Sequence, residues 1–145
     1  MKSLGILLLL PITGCGHLGV TMPADEIAKH GTKIFEAPMP KVYDAVAGAL
    51  EHEGWRVPEK HPETGLLRTS RRSADDGLKR RYEIELKPRL DGSTRVIVRP
   101  HLYRDGGDVS DQEVWVLDGK DGERGLWRRL FRDIRDQLGD KIAEN

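Results

Sequence analysis

Histidine and serine side chains are the main candidates in this sequence for metal binding and for nucleophilic catalysis, but their spacing fits neither kind of site. The histidines are His17, His30, His52, His61 and His101. No two of them stand four residues apart, the spacing that turns two imidazoles on one helix face towards zinc. The serines Ser70, Ser73 and Ser110 lack the G-x-S-x-G context of a hydrolase nucleophile. We therefore expect no metal centre, no cofactor and no enzymatic activity.

Three aspartates in a glycine-containing segment invite comparison with a calcium loop. They are Asp105, Asp108 and Asp111. Calcium loops of the EF-hand type place acidic residues at alternate positions and close with a glutamate. Here the acidic residues are three positions apart, so we expect a flexible acidic loop without calcium.

The only cysteine, Cys15, directly follows Ile12-Thr13-Gly14. Upstream, Lys2 precedes the apolar run Leu4–Leu10. A bilayer span needs about 20 apolar residues, so this run is typical of a signal peptide rather than a membrane helix. An aliphatic residue, two small residues and a cysteine resemble the bacterial lipobox, where the chain is cut before the cysteine and its thiol is acylated. We predict a signal peptide over residues 1–14 and lipidation at Cys15; the alternative is an ordinary secretory signal with an unmodified cysteine.

The lipobox resemblance implies a bacterial lipoprotein that resides permanently on a membrane. It implies diacylglyceryl modification with palmitate-type chains, and two or more acyl chains attach a protein stably to a bilayer. Gly16 follows the cysteine in place of the aspartate that retains lipoproteins at the inner membrane of enteric-type bacteria. This favours a location at the outer membrane, facing the periplasm. The chain carries 24 basic and 24 acidic residues, and this balance argues against a nucleic-acid partner.

The order of periodic segments predicts the fold. Residues 15–31 lack sustained periodicity and are predicted to form a lipidated, flexible tether, with a short helix over 24–29 left open and a single domain over 32–145. Strands are predicted over 32–37, 55–57, 66–72, 79–87 and 94–103, with one more left open within 113–117. One helix is predicted over 41–53 and a longer one along the line Leu126, Leu130, Ile134 and Leu138. Strands linked by hairpins form an antiparallel sheet with one apolar face to cover. The predicted fold is therefore α+β: an antiparallel β-sheet covered on one face by two helices, in the order β-α-β-β-β-β-(β)-α.

Four segments carry a resemblance to a known family. They are Ile-Thr-Gly-Cys (12–15), Pro-Lys-Val-Tyr-Asp-Ala-Val (40–46), Leu-Glu-His-Glu-Gly-Trp-Arg-Val (50–57) and Glu-Thr-Gly-Leu-Leu-Arg-Thr (63–69). Over residues 32–138 the chain resembles one domain of the BamC family of outer-membrane β-barrel assembly lipoproteins. The resemblance implies a helix-grip-like fold, no catalysis and an accessory role in a membrane-associated assembly. The chain departs from the family in having one domain and a short tether.

A basic cluster falls on two strands that are expected to pair across residues 73–77. Its members are Arg68, Arg71, Arg72, Lys79, Arg80 and Arg81. Pairing would gather these charges into one patch, which an anionic surface or an acidic partner would stabilise. The alternative is a solvated outer face in which acidic residues such as Glu83 and Glu85 separate the arginines. We single out Arg68, Arg71, Arg72 and Arg81 as candidate contacts with a partner or an anionic surface.

The three tryptophans differ in their expected roles. Trp55 and Trp127 lie where helix and sheet should meet, so we expect them in the core. Trp115 lies between Val114 and Val116, and strand alternation would expose it if the valines face inward. An exposed Trp115 would be a candidate anchor for a partner, because tryptophan is enriched among interface hot spots. A Trp115 that faces inward would remove this candidate.

These observations favour a non-enzymatic, membrane-tethered lipoprotein that acts as a scaffold or accessory to an envelope complex, with β-barrel assembly as one candidate. The expected partners are the membrane, through the lipid at Cys15, and an envelope protein. The alternative is a periplasmic module that binds a lipid or a small apolar ligand between the C-terminal helix and the sheet. Large side chains that fill this space would favour the scaffold, whereas an unfilled cavity of several hundred cubic ångströms would favour the binding module.

Overall fold

A computed structural model describes residues 20–74, 77–104, 115–119 and 122–139. The helices are α1 (Ala24–His30), α2 (Met39–His52) and α3 (Glu123–Gln137). The strands are β1 (Val20–Thr21), β2 (Thr32–Phe35), β3 (Glu59–His61), β4 (Leu66–Arg68), β5 (Arg72–Ser73), β6 (Leu78–Pro88) and β7 (Thr94–Arg104). None of the helices in this described part is long and apolar enough to cross a bilayer.

All strand pairs are antiparallel, and the order across the sheet is β1-β7-β6-β4-β3. β2 also pairs with β7, and β5 with β6. Pro100 lies between the stretches of β7 that pair with β1 and with β2. The N–H of Val98, two residues earlier, donates to the Gly31 carbonyl on that side. Alternate residues of a strand point their N–H groups to the same side, so Pro100 faces the same side of β7 as Val98. Neither β1 nor β2 pairs with position 100 on that side, so the missing N–H of Pro100 costs no hydrogen bond between strands.

One face of the sheet is apolar and is covered by α2 and α3, which confirms the predicted fold class. The alternation in β6 turns Tyr82, Ile84 and Leu86 to this face, where each is at most 3% exposed. Both helices contribute fully buried side chains to the same core. Those of α2 are Val42, Val46, Ala49 and Leu50, and those of α3 are Trp127, Leu130 and Ile134. Leu126, which was expected on the buried line of α3, is only partly buried.

The domain includes residues that the sequence had predicted to be a flexible tether. β1 pairs with β7, and α1 packs against β2 and β7. Met22 and Ile27 are buried in the core, and Glu26 forms an ion pair with Arg124 of α3 at 2.8 Å. Thus the prediction of a tether up to residue 31 is wrong for residues 20–31. A helix of seven residues with one buried side chain is too short to produce visible periodicity.

Three predicted strands are also corrected. Residues 55–58 form no strand, because the Trp55 ring packs against Tyr82 and the segment ends at Pro58, which has no N–H to donate. The strand predicted over 66–72 is divided into β4 and β5. Residues 115–117 are not a strand either: the carbonyls of Val116 and Leu117 accept hydrogen bonds from the first residues of α3. The predicted acidic loop, with Asp105, Asp108 and Asp111, lies outside the described residues.

Gly65, in the turn between β3 and β4, is required by both conformation and space. Its φ is +74°, and a Cβ there would lie 2.4 Å from the carbonyl oxygen of Leu86. Gly92 has a similar φ of +84° with nothing within 4 Å of such a Cβ. We expect Gly92→Ala to cost about 1 kcal/mol from backbone strain alone. Gly65→Ala should cost about 2 kcal/mol more, because the backbone carbonyl cannot move aside freely. Urea unfolding of both variants measures the difference, and equal losses would contradict the packing argument.

Candidate functional site

Charged side chains converge on a cleft of about 380 Å³ where the C-terminal end of α2 meets α3 and the strands β5 and β6. We call it the helix–sheet cleft. Its walls are formed by His52, Glu53, Trp55, Arg72, Ser73, Arg80, Tyr82, Leu126, Arg129, Arg132 and Asp133. Segments distant in the chain therefore supply four arginines, two carboxyl groups and two aromatic rings to one concave surface.

Two of the arginines are held in place by neighbouring groups. The Arg72 guanidinium lies 4.4 Å from the centre of the Trp55 ring, and its Nη1 donates to the Glu53 carbonyl at 2.9 Å. Arg80 forms an ion pair with Glu123, whose side chain is 1% exposed. Burial raises the pKa of Glu123, and the positive charge of Arg80 opposes that rise. Within the described residues, Arg80 Nε and Glu123 Oε2 are buried without hydrogen-bond partners.

Glu53 and Asp133 bring two carboxyl groups together across the cleft. Burial raises the pKa of Glu53 to about 7, and a hydrogen bond with Asp133 acts in the same direction. Two carboxyl groups share a hydrogen bond only when one of them carries a proton. His52 Nδ1 and Arg132 Nε each lie within 4 Å of an Asp133 oxygen, at 3.7 and 3.8 Å. Near neutral pH, the charge of this wall therefore depends on a single proton.

This pair predicts a pH dependence of stability. The folded-state pKa of Glu53, about 7, lies above its ordinary value of 4.5. The stabilisation from the protonated form is therefore complete below about pH 4.5 and is lost as the pH rises through about 7. We expect Glu53→Gln to flatten the fall in the free energy of unfolding between pH 5.5 and 8.5, as measured by urea unfolding. Glu51→Gln, which removes an exposed carboxylate nearby, is the matched control and should leave the slope unchanged. A Glu53→Gln protein with the wild-type slope would contradict the assignment.

The predicted basic cluster is divided between the two faces of the sheet. Arg68 lies on the face away from the helices, where it forms ion pairs with Glu59 at 2.9 Å and Glu83 at 3.0 Å. This supports the alternative in which acidic residues separate the arginines, and it removes Arg68 from the candidate contacts. Arg72, by contrast, pairs in register with Arg80 and belongs to the helix–sheet cleft.

The other two arginine candidates meet at one tyrosine. The guanidinium carbons of Arg71 and Arg81 lie 3.8 and 5.5 Å from the centre of the Tyr103 ring. Arg71 is exposed and Arg81 is partly buried. Tyr103 and Arg81 lie on the face away from the helices, so this pair is separate from the cleft.

Trp115 is 9% exposed and belongs to the core, whereas its neighbour Val116 is 68% exposed. The exposed orientation on which the partner anchor depended is therefore wrong, and Trp115 is withdrawn as a contact residue. The physical reason is that residues 115–117 lead into α3 through hydrogen bonds instead of alternating as a strand.

Cys15 lies outside the described residues. Within them, no three histidine or acidic side chains approach closely enough to hold a metal ion.

A second concave surface lies on the opposite face, between α1 and the strands β2 and β7. We call this surface of about 710 Å³ the edge groove. It is lined by Ala24, Ile27, Ala28, Thr32, Lys33, Ile34, Arg95, Ile97 and Arg99. Ile34 is 42% exposed there. Arg99 is bound to Glu85 at 2.8 Å, whereas Arg95 is exposed and has no ion pair within the described part of the chain. The groove thus combines an apolar floor with a cationic side.

Sequence reasoning did not identify Glu53, Arg129, Arg132 or Asp133 as site residues. The polar face of α3 was visible in the sequence, but a polar helix face usually faces solvent. Glu53 and Asp133 are 80 positions apart, so only the packing of α2 against α3 reveals their contact.

No protein-family model and no curated protein matches the sequence. Among solved structures, the chain is similar to the di-domain ARO/CYC StfQ from the steffimycin biosynthetic pathway, with 16% identity and a TM-score of 0.31. The match covers 75% of this chain and 42% of that protein, so the chain spans about two-fifths of its length. A superposition this loose indicates nothing about the ligand or the reaction of this chain.

Proposed function

We propose that this chain is a lipid-anchored, non-enzymatic domain that acts as a scaffold or accessory to an assembly of the bacterial envelope, by analogy with the BamC family that its sequence resembles. The observation that carries the proposal is the filled space between α3 and the sheet. Trp55, Tyr82, Trp127 and Phe131, the side chains expected to fill it, are all at most 8% exposed. These side chains fill the interior beneath α3, and the cleft of about 380 Å³ that remains at its edge has a charged wall, unlike the apolar cavity expected of a module that binds a lipid chain.

The distance from the lipid to the folded domain is short. Only the four residues Gly16–Gly19 separate Cys15 from β1. Even a fully extended chain bridges at most about 17 Å over this interval. Lipidation at Cys15 would therefore hold the domain beside the membrane, here proposed to be the outer membrane with the domain facing the periplasm. Confinement of this kind raises the effective concentration of the domain for a membrane-bound partner.

The edge groove is the proposed contact surface. It borders β2, a strand at the edge of the sheet, and α1, which only two residues separate from β1. The apolar floor at Ile34 and Ile97 and the exposed charge of Arg95 fit an apolar segment of an envelope protein flanked by acidic residues. The withdrawal of Trp115 leaves this groove as the surface with the best combination of apolar exposure and uncompensated charge among the described residues.

Site-specific photocrosslinking in intact cells tests the contact. A benzophenone amino acid at position 34 should give a discrete adduct with an envelope protein, and the adduct should weaken when Arg95→Glu is added. Position 44 on α2 is the control, because Asp44 is also exposed and lies on the helix side of the sheet, away from the edge groove. Identical adducts from positions 34 and 44 would refute the groove as the contact surface.

A second candidate function, a ligand-binding module, is favoured by the helix–sheet cleft. Its 380 Å³ lies at the mouth between α3 and the sheet, where a helix-grip-like fold would admit a ligand. The wall, however, is charged rather than apolar, so it does not fit the apolar ligand expected from the sequence and calls for a polar or charged one.

A further inference from the structure

We propose that the helix–sheet cleft binds a small oxyanion of the phosphate type, either free or as the headgroup of a lipid. The ligand would be held by four guanidinium groups, those of Arg72, Arg80, Arg129 and Arg132. This inference rests on the second candidate function, the binding module, and is independent of the scaffold role.

The first argument is the charge of the wall. Four arginines face the cleft, against the carboxyl groups of Glu53 and Asp133, with Glu123 buried beneath Arg80. Arginine suits tetrahedral oxyanions because its planar fork donates two parallel hydrogen bonds to a pair of oxygens. A concave site with an excess of arginine therefore selects anions over neutral or apolar molecules.

The second argument is the juxtaposition of like charges. The Cα atoms of Arg72 and Arg80 are paired directly across β5 and β6. Like charges placed opposite each other destabilise a strand pair unless a counter-charge lies between them. Glu123 compensates Arg80. Within the described residues, Arg72 donates to the neutral Glu53 carbonyl and stacks on Trp55, and the carboxyl group near it is that of Glu53, whose pKa burial raises to about 7 so that it carries only part of a negative charge near neutral pH. An anion in the cleft would supply the missing counter-charge.

The third argument is preorganisation. Arg72 is fixed by the Trp55 ring and the Glu53 carbonyl, and Arg80 by Glu123. Side chains already held in one conformation lose little entropy when a ligand binds. A ligand would thus meet two donors in place, with Arg129 and Arg132 of α3 on the opposite wall.

The proton shared by Glu53 and Asp133 makes the site sensitive to pH. While the pair holds the proton, the wall carries one negative charge fewer, so an anion is repelled less. The charged and titratable groups that face Glu53 from the surrounding elements are His52, Arg72, Arg80, Tyr82, Arg129, Arg132 and Asp133. Anion binding should therefore strengthen as the pH falls through about 7.

Calorimetric titration of the full-length lipidated protein in a non-ionic detergent tests the proposal. Inorganic sulfate is the first probe, because its charge is constant between pH 6 and 8. We expect Arg129→Gln to weaken sulfate binding by roughly tenfold, the loss typical of one charge-assisted hydrogen bond. Arg128→Gln, an exposed neighbour outside the cleft, should have no effect. Wild-type protein should bind more tightly at pH 6 than at pH 8, and Glu53→Gln should abolish most of that difference.

Two further probes distinguish the sources of the anion. Tighter binding of dihexanoyl phosphatidic acid than of inorganic phosphate would identify a lipid headgroup, and the reverse would identify a free anion. The absence of binding of all three probes at millimolar concentration would overturn the proposal, as would equal effects of Arg129→Gln and Arg128→Gln. Circular dichroism confirms that each variant is folded. Photocrosslinking at position 34 remains a separate readout, so failure of the cleft and failure of the scaffold role can be told apart.

Discussion

Leu130→Asp is expected to abolish folding of the domain. Leu130 is 1% exposed and lies on α3 between the two helices and the sheet. Placing an unpaired carboxylate there costs several kcal/mol, in addition to the apolar contacts that are lost. Since small domains are stable by about 5–15 kcal/mol, this single change removes most or all of the stability. Far-ultraviolet circular dichroism and thermal unfolding of the purified protein measure the outcome.

Leu90→Asp is the matched control for this experiment. Leu90 is fully exposed in the turn between β6 and β7, so the same substitution there should change the free energy of unfolding by less than about 0.5 kcal/mol. A Leu130→Asp protein with the melting temperature of the Leu90→Asp protein would show that α3 does not pack on the sheet.

Cys15→Ser is expected to transfer the protein from the membrane fraction to the soluble periplasmic fraction. The proposed anchor is the set of acyl chains at Cys15, and without them no second membrane signal of comparable strength is predicted. Because Cys15 lies outside the core formed by residues 22–138, the melting temperature should stay within a few degrees of the wild-type value. Ultracentrifugation of cell lysates and the mass of the purified protein provide the two measurements.

His17→Ser controls for the effect of substitution near the cleavage site, because it leaves the lipobox intact and should keep the protein in the membrane pellet. If the Cys15→Ser protein also sediments with membranes at the wild-type level, the lipid-anchor account is wrong.

Periodicity predicted the regular parts of the fold, because each of these elements is long enough to show one apolar side. The alternation of Tyr82, Ile84 and Leu86 identified β6, and the line through Leu130 and Ile134 identified α3. A short helix over 24–29 could only be left open from the sequence, because a seven-residue helix with one buried side chain, as α1 is, shows no repeated apolar spacing. Its position depends on tertiary contacts, among them the ion pair between Glu26 and Arg124, which are 98 positions apart.

The candidate sites were harder to predict than the fold, because charge clusters in sequence need not be clusters in space. The predicted basic patch contained Arg68 and Arg72, yet the sheet places Arg68 among acidic neighbours on one face and Arg72 in the cleft on the other. The acidic pair of the cleft joins residues after α2 and within α3. Trp115 shows the converse error, since alternation was applied to a segment that is not a strand.

Affinity purification after crosslinking in intact cells tests the central claim most directly. The lipidated wild-type protein is compared with a lipidated Ile34→Asp/Arg95→Glu variant, which changes only exposed residues of the edge groove. The scaffold account predicts that a defined set of envelope proteins is recovered with the wild type and lost with the variant, as identified by mass spectrometry. Recovery of the same proteins with both, or of a lipid or small molecule without any protein partner, would contradict it.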